Sequence, residues 1–394
     1  MSLSDKLSKG LNYLIIALLV YYIFIENTER EKNYNLNVKD AHQITTPGKL
    51  LNSTHQLEEH GWSKTHLKDL NNEMAYSPIF GFAYFNQVRL KKCELYQFVT
   101  GNKLVKVAIG DVYIGGNIFY MEYDFDTKTQ TSVDKQLLPI IDKDNMPNGM
   151  VFNVYPCEEE YTTAKDGFTI KVKKSVNDGI CETRLVFNVD NQPKGDVTFR
   201  RPLDEEQMYK IAPISEDNKY WFYNQKNYNM DCSGTYDGKT MEDCVGSSDM
   251  VRGLYHYKMN YIWTTGTGKV NGQRLSLELG GGIAAKHAKV NDDSFKLDDK
   301  VVHLNPLEIK YDPLNLMNSF VFKTHADFEE INENKAEIVF RSEYVKNKRD
   351  NLIFLKTHFD YVYGTFSGWV TDDEGKKIEF EGLKGFVEIV KLKW

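Results

Sequence analysis

The sequence predicts an all-β protein, two tandem barrel or sandwich units of antiparallel strands carried behind an N-terminal transmembrane helix. Three observations lead there. Residues 11–25 form one uncharged apolar run, the chain beyond Lys92 alternates apolar and polar residues with period two, and turn dipeptides fall between the alternating stretches at hairpin spacing. With 394 residues, the chain is long enough for two folded units. Hydrophobic residues at 41% and aromatics at 13% supply the cores and exclude wholesale disorder.

The first element is the run LNYLIIALLVYYIFI, with Leu11, Leu14, Ile15, Ile16, Leu18, Leu19, Val20, Ile23 and Phe24 as its apolar surface. As a helix it spans about 22 Å, short of a hydrocarbon core of about 30 Å, and snorkelling of Lys9 with Tyr13, Tyr21 and Tyr22 at interface depth makes up the difference. No small-residue cleavage site follows Ile25, which favours an uncleaved anchor over a secretory signal. Lys6 and Lys9 precede the run, placing the N-terminus on the cytoplasmic or matrix side and the β body across the membrane. Membrane lipids are then partners. A mitochondrial inner membrane is the favoured location and a secretory-pathway membrane the alternative.

Residues 1–40 form the anchor and its polar flank, residues 41–201 a first β domain with a polar arm, and residues 202–394 a second β domain. In the arm, His55, His60 and His66 are spaced by five and six, which does not bring them to one helical face, so they read as solvated linker residues. Val105, Val107 and Ile109 alternate with Lys106 and Ala108, and Phe119, Met121, Tyr123 and Phe125 with their polar neighbours, as half-buried strands do. Asn177-Asp178-Gly179 and Asn271-Gly272 are hairpin turns, and Asp372-Asp373-Glu374-Gly375 separates the last two strands.

Lys plus Arg number 49 against 56 Asp plus Glu, a net charge of -7 with no basic block, which excludes a nucleic-acid partner. Cofactor motifs fail in turn. Gly266-Thr267-Gly268-Lys269 lacks the Ser or Thr that a phosphate loop needs next, since Val270 stands there, and reads as a loop; Gly280-Gly281-Gly282 reads as a bulge or strand end. No cofactor and no metal are expected. The five cysteines contain no C-x-x-C. Cys232 and Cys244 bracket the turn Asp237-Gly238, and two readings stand for them, a disulfide or a pair of half-buried thiols.

Several stretches together resemble one known family. They are YWFYNQKNYNMDCSGTYDG, then Asp249 to Tyr257, Trp263, Gly268 and Gln273 to Gly280, and at the C-terminus Tyr363 to Gly368, Gly382 to Glu388 and Trp394, with weaker agreement from Gly48, Gly61-Trp62-Ser63 and Val197 to Pro202. Their order over residues 44–394 is similar to the family called domain of unknown function 2804. The resemblance implies a fold, distantly similar to lipocalin-like proteins such as carotenoid hydratases, and no reaction. The sequence departs from the family near residue 95, where Cys93-Glu94-Leu95-Tyr96 stands in place of tryptophans, and residues 1–40 have no counterpart.

The densest polar and aromatic cluster in this region is Asp249, Arg252, His256 and Trp263. Arg252 and His256 share strand parity and point to one barrel interior, either to meet a ligand or with Arg252 paired to Asp249 for structure alone. No G-x-S-x-G or other nucleophile motif occurs. The leading expectation is therefore a non-catalytic, membrane-anchored accessory subunit of a larger membrane complex, with other membrane-protein subunits as partners. The alternative is a carrier of an apolar lipid, isoprenoid or quinone, and the third reading a polyene hydratase or isomerase.

Overall fold

The computed structural model describes residues 41–76, 90–111, 115–138, 141–146, 158–216, 218–256, 258–284, 288, 290–351 and 356–393. The expected anchor over residues 11–25 lies outside them. Among the described residues no helix is long and apolar enough to cross a membrane, and the helical pieces are single turns at Asn72–Met74, Lys143–Asn145 and Ala326–Phe328. The rest is β structure, in two sheets whose strand ladders are all antiparallel.

The first sheet runs from β1 to β13: β1 (Gly61–Ser63), β2 (Leu90–Thr100), β3 (Lys103–Asp111), β4 (Gly116–Asp124), β5 (Thr129–Leu137), β6 (Glu159–Lys165), β7 (Phe168–Asn177), β8 (Ile180–Val189), β9 (Gln192–Pro202), β10 (Met208–Pro213), β11 (Trp221–Tyr236), β12 (Lys239–Thr240) and β13 (Val245–Leu254). Its main path is β5-β4-β3-β2-β13-β11-β9-β8-β7-β6. The end strands curl towards each other, and Lys135 on β5 reaches Asp166 beside β6 at 3.7 Å, so the path is a nearly closed barrel. Aromatic side chains fill its interior, among them Tyr96, Phe98, Tyr120, Phe168, Phe187 and Phe199.

The second sheet is a half-barrel in the order β17-β16-β15-β14-β22-β21-β20-β19-β18. Its strands are β14 (Lys258–Val270), β15 (Gln273–Gly281), β16 (Ser294–Leu297), β17 (Lys300–His303), β18 (Leu307–Lys310), β19 (Phe320–Thr324), β20 (Ala336–Asn351), β21 (Lys356–Thr371) and β22 (Lys377–Lys393). Its concave face buries Leu275, Leu277, Phe322, Phe340, Phe366 and Val387. The sheets change over between Leu254 and Lys258. The division expected at 201–202 falls inside the first sheet, because β10, β11 and β13 all hydrogen-bond into it.

Several turns form as their residues dictate. Asp178-Gly179, Asp237-Gly238 and Asn271-Gly272 all have positive φ, the backbone a two-residue hairpin requires. Burial differs from the simple alternation. On β3, Val105, Val107 and Ile109 face the barrel interior, yet Leu104, Lys106 and Ala108 are buried too. The outer faces of β2, β3 and β4 lie against the second sheet, where Leu104, Met121 and Tyr123 pack on Tyr361, Tyr363 and Phe386. A strand covered on both sides loses the solvated face that period two implies. The arm is likewise packed: His55 bonds the Met74 carbonyl at 3.0 Å and His60 the Ala288 carbonyl at 2.9 Å, so these histidines are part-buried rather than solvated. Gly266 to Lys269 is strand, not loop, and a Cβ on Gly266 would meet the Phe366 ring at 3.0 Å.

One irregularity joins the sheets. The ladder between β11 and β13 shifts register between Asn227 and Met230, bulging out Tyr228 and Asn229, the latter at φ 53°. Before the bulge β11 pairs with β10; after it, with β9. The Asn229 amide donates to the Lys296 and Asp298 carbonyls, each at 3.0 Å, while its Oδ1 accepts from Ser276 Oγ at 2.8 Å. Replacing Asn229 by Ala leaves those carbonyls without their donor and puts at positive φ a residue that tolerates left-handed backbone less well than asparagine. The expected loss is about 3 kcal/mol, read as a lower urea midpoint at unchanged m-value.

Candidate functional site

The back-to-back contact would be an ordinary apolar seam but for the charges inside it. Strand parity puts Cys93, Leu95, Gln97 and Val99 on the outer face of β2, with Asp249 opposite Leu95 on β13 and Lys226 opposite Asp249 on β11. From the second sheet come Trp263 on β14, its cross-strand neighbour Glu388 on β22, and Glu278 on β15. Asp249 accepts from Asn224 Nδ2 at 2.7 Å and lies 3.4 Å from Lys226 Nζ. Glu278 receives Lys226 Nζ, the Trp263 indole N–H and, at 3.4 Å, the Tyr228 hydroxyl. Lys106 Nζ sits over the Phe386 ring, 3.2 Å from its centroid, and 3.8 Å from the Glu388 carboxylate.

Burial dominates the proton affinities here. It lowers Lys226 to about 8, against the opposing pull of Asp249. Lys106 is lowered by burial while Glu388 attracts its proton, and Glu388 is raised by burial and by the charge of Asp249. The two members of that pair therefore approach each other in affinity. Burial and the Asp249 charge also push the Cys93 thiol up to about 12, which keeps it unreactive.

Asp249, Glu278, Trp263, Tyr228, Gln97 and Ser247 converge on a void of 10 Å³, about the space of one water molecule. Gln97 is 1% exposed, and neither of its amide atoms finds a hydrogen-bond partner among the described residues. A buried primary amide with both ends unmatched is costly unless something else meets it.

Of the residues singled out from the sequence, the structure brings Asp249 and Trp263 to this void. Arg252 and His256 are elsewhere. Arg252 lies three positions along the strand from Asp249, so it points to the opposite side of the sheet, into the barrel. There Arg252 Nη2 donates to Glu94 Oε1 at 3.2 Å, and Glu94 also accepts from Lys174 at 2.8 Å, Tyr96 at 2.7 Å and Tyr161 at 2.8 Å. An Asp249–Arg252 pair is thus replaced by Glu94–Arg252. His256 lies beyond the end of β13 and packs against Tyr220 with the rings tilted by 36° and their centroids 4.1 Å apart. The Asp237-Gly238 hairpin holds Cys232 and Cys244 with Cα atoms 5.2 Å apart, and the structure joins them as a disulfide. Among the described residues no group of three or more His, Cys, Asp or Glu side chains could hold a metal ion.

Sequence reading missed Lys106, Lys226, Glu278 and Glu388. Val105-Lys106-Val107, Leu277-Glu278-Leu279 and Val387-Glu388-Ile389 each insert one charge into an apolar strand. That pattern is identical to an ordinary strand with a wet outer face.

These features define a two-sheet β protein with an ionisable layer between its sheets. By sequence the chain belongs to the domain of unknown function 2804 family, whose model matches residues 41–394. No curated protein matches the sequence. Solved structures similar to it include kievitone hydratase from Nectria haematococca, at 11% identity over 83% of this chain and 96% of that one with a TM-score of 0.41. Another is a candidate AttH protein from Nitrosomonas europaea, at 9% identity over 79% and 94% with a TM-score of 0.39. At that level of superposition neither lends its chemistry to this chain.

Burial alone would raise Glu94, but Lys174, Arg252 and the Tyr96 hydroxyl hold its carboxyl at about 2. Its folded pKa lies below the unfolded value, so its contribution is complete above about pH 4.5 and is lost as pH falls towards 2. Arg252→Met is expected to cost about 3 to 5 kcal/mol and to move acid unfolding to higher pH. A double-mutant cycle of Arg252 with Glu94 should show coupling above about 1 kcal/mol, and with Asp249 almost none.

Proposed function

We propose that the seam between the sheets is a proton-transfer site and that the chain is an enzyme of hydratase or isomerase type acting on an unsaturated small molecule. The observation that carries this reading is the convergence of two carboxylates, Asp249 and Glu278, on one buried void beside Lys226, whose ammonium is brought to about 8 by burial. A carboxylic acid delivers its proton to one carbon of a C=C bond, and a water molecule adds to the neighbouring carbon and gives up a proton to the second carboxylate. Water is thereby added across the double bond, and the two acids exchange protonation states. The developing carbocation needs an electron-rich face, and the Trp263 ring that lines the void offers one.

An apolar carrier is the reading next in line, and it uses the same seam without turnover, because aromatic side chains already fill the barrel interior. The anchored accessory-subunit reading rests on residues 11–25, outside the described residues, and gains no support from the sheets. The test is incubation of the full chain with farnesol, geraniol and a short-chain ubiquinone in ¹⁸O-labelled water and in D₂O. Incorporation of ¹⁸O or carbon-bound deuterium into one of them, reduced at least about 100-fold by Glu278→Gln and Asp249→Asn, supports the enzyme. Stoichiometric retention of a probe with no isotope incorporated overturns it in favour of the carrier, and neither retention nor incorporation overturns both.

A further inference from the structure

At one rim of the molecule the sheets part into an open groove of 760 Å³. Its first wall is the hairpin from Tyr236 to Asp243, closed at its base by the Cys232–Cys244 bond, together with the β2–β3 turn. Its second wall is Thr267 to Lys269 of β14 and Gly382 to Lys384 of β22. The groove and the buried void share their strands. Gln97 lines the void and Val99 the groove; Thr265 lines the void and Thr267 the groove. Residues two apart on a strand share a face and are about 7 Å apart. The outer face of β2 and the facing side of β14 therefore lead from the groove towards Asp249 and Glu278, and Val99, 8% exposed, with the fully buried Thr267 closes the seam between the groove and the void.

We propose that this groove is the mouth of the proton-transfer site and that Val99 with Thr267 forms the neck through which substrate reaches the buried acids. The inference rests on the reading of the seam as a site, and it adds the route and the residues that limit what can enter. The charges on the walls are matched: Lys269 meets Asp243 at 2.7 Å and Lys103 meets Asp237 at 3.3 Å. A neutral molecule crosses such a mouth without facing a strong field of one sign. Lys384 bonds the Gly101 carbonyl at 2.8 Å, tying the two walls together at the groove's exposed rim. The disulfide holds the hairpin that forms the outer wall, so the width of the mouth depends on a covalent bond.

Access can be measured without any substrate. In a full-length Ser247→Cys variant the new thiol lines the void, and its modification by methyl methanethiosulfonate is followed by peptide mass spectrometry. The expected result is slow but complete labelling, retarded at least tenfold by Val99→Trp, while a Thr131→Cys reporter on exposed β5 is labelled at the same rate in both backgrounds. Should Val99→Trp fail to fold, Lys239→Trp on the exposed hairpin narrows the same mouth from outside and is expected to slow labelling about threefold. Equal rates with and without the tryptophans, or no labelling of residue 247 at all, would overturn the proposal. Labelling requires no turnover, so the passage can stand where the assigned chemistry fails, and the reverse.

Discussion

The bulge at Tyr228-Asn229 is the constraint on which the rest of the molecule depends. It lets one strand serve two neighbours, β10 before it and β9 after it, so that a single sheet both closes a barrel and extends a flank beside it. The same two residues reach across to the second sheet, Asn229 through its amide and Tyr228 through its hydroxyl, which meets Ser294 at 3.0 Å. The bulge brings both side chains to those bonds, which fix the register of the two sheets together with the ion pairs of the seam.

That fixed register gives the charged layer its meaning. Two sheets meeting through apolar side chains alone would slide with little penalty, whereas each buried ammonium and carboxylate in the seam requires a partner from a specific position. Lys226 lies between Asp249 of its own sheet and Glu278 of the other, and Lys106 meets Glu388 across the same gap. Apolar replacement of such pairs is often neutral or stabilising in other proteins. Stability alone is therefore a weak reason for charges here, and the proton-transfer role proposed above would use them.

Much of the strand plan was legible in the sequence, because hairpin turns and period-two alternation are local properties. Asp178-Gly179 and Asn271-Gly272 fold as their residues require, and the strands flanking them have the expected extent. What could not be read was anything set by contact between distant segments. Lys106 looks like a solvated lysine until Phe386, 280 positions later, is known to lie on top of it. The changeover between sheets escaped for the same reason: Arg201-Pro202 looks like a boundary in composition, but long-range pairing carries the first sheet on to Leu254. Of the site itself, Asp249 and Trp263 were visible as a polar and aromatic cluster. The sidedness of Arg252 follows from counting three residues along β13, an argument that becomes available only once the strand is known to run unbroken through both.

The order in which the strands of the first sheet find their neighbours has a consequence for how the chain is made. β2 has β3 on one side almost at once, but its other neighbour is β13, with Leu90 opposite Leu254. While the protein is being synthesised, the growing barrel therefore carries a bare hydrogen-bonding edge and an uncovered aromatic interior until residue 254 has left the ribosome, a delay on the order of ten seconds. An unsealed sheet of that kind sticks to others like it. It is this late-arriving strand, more than any residue in the seam, that determines when the edge of β2 is covered.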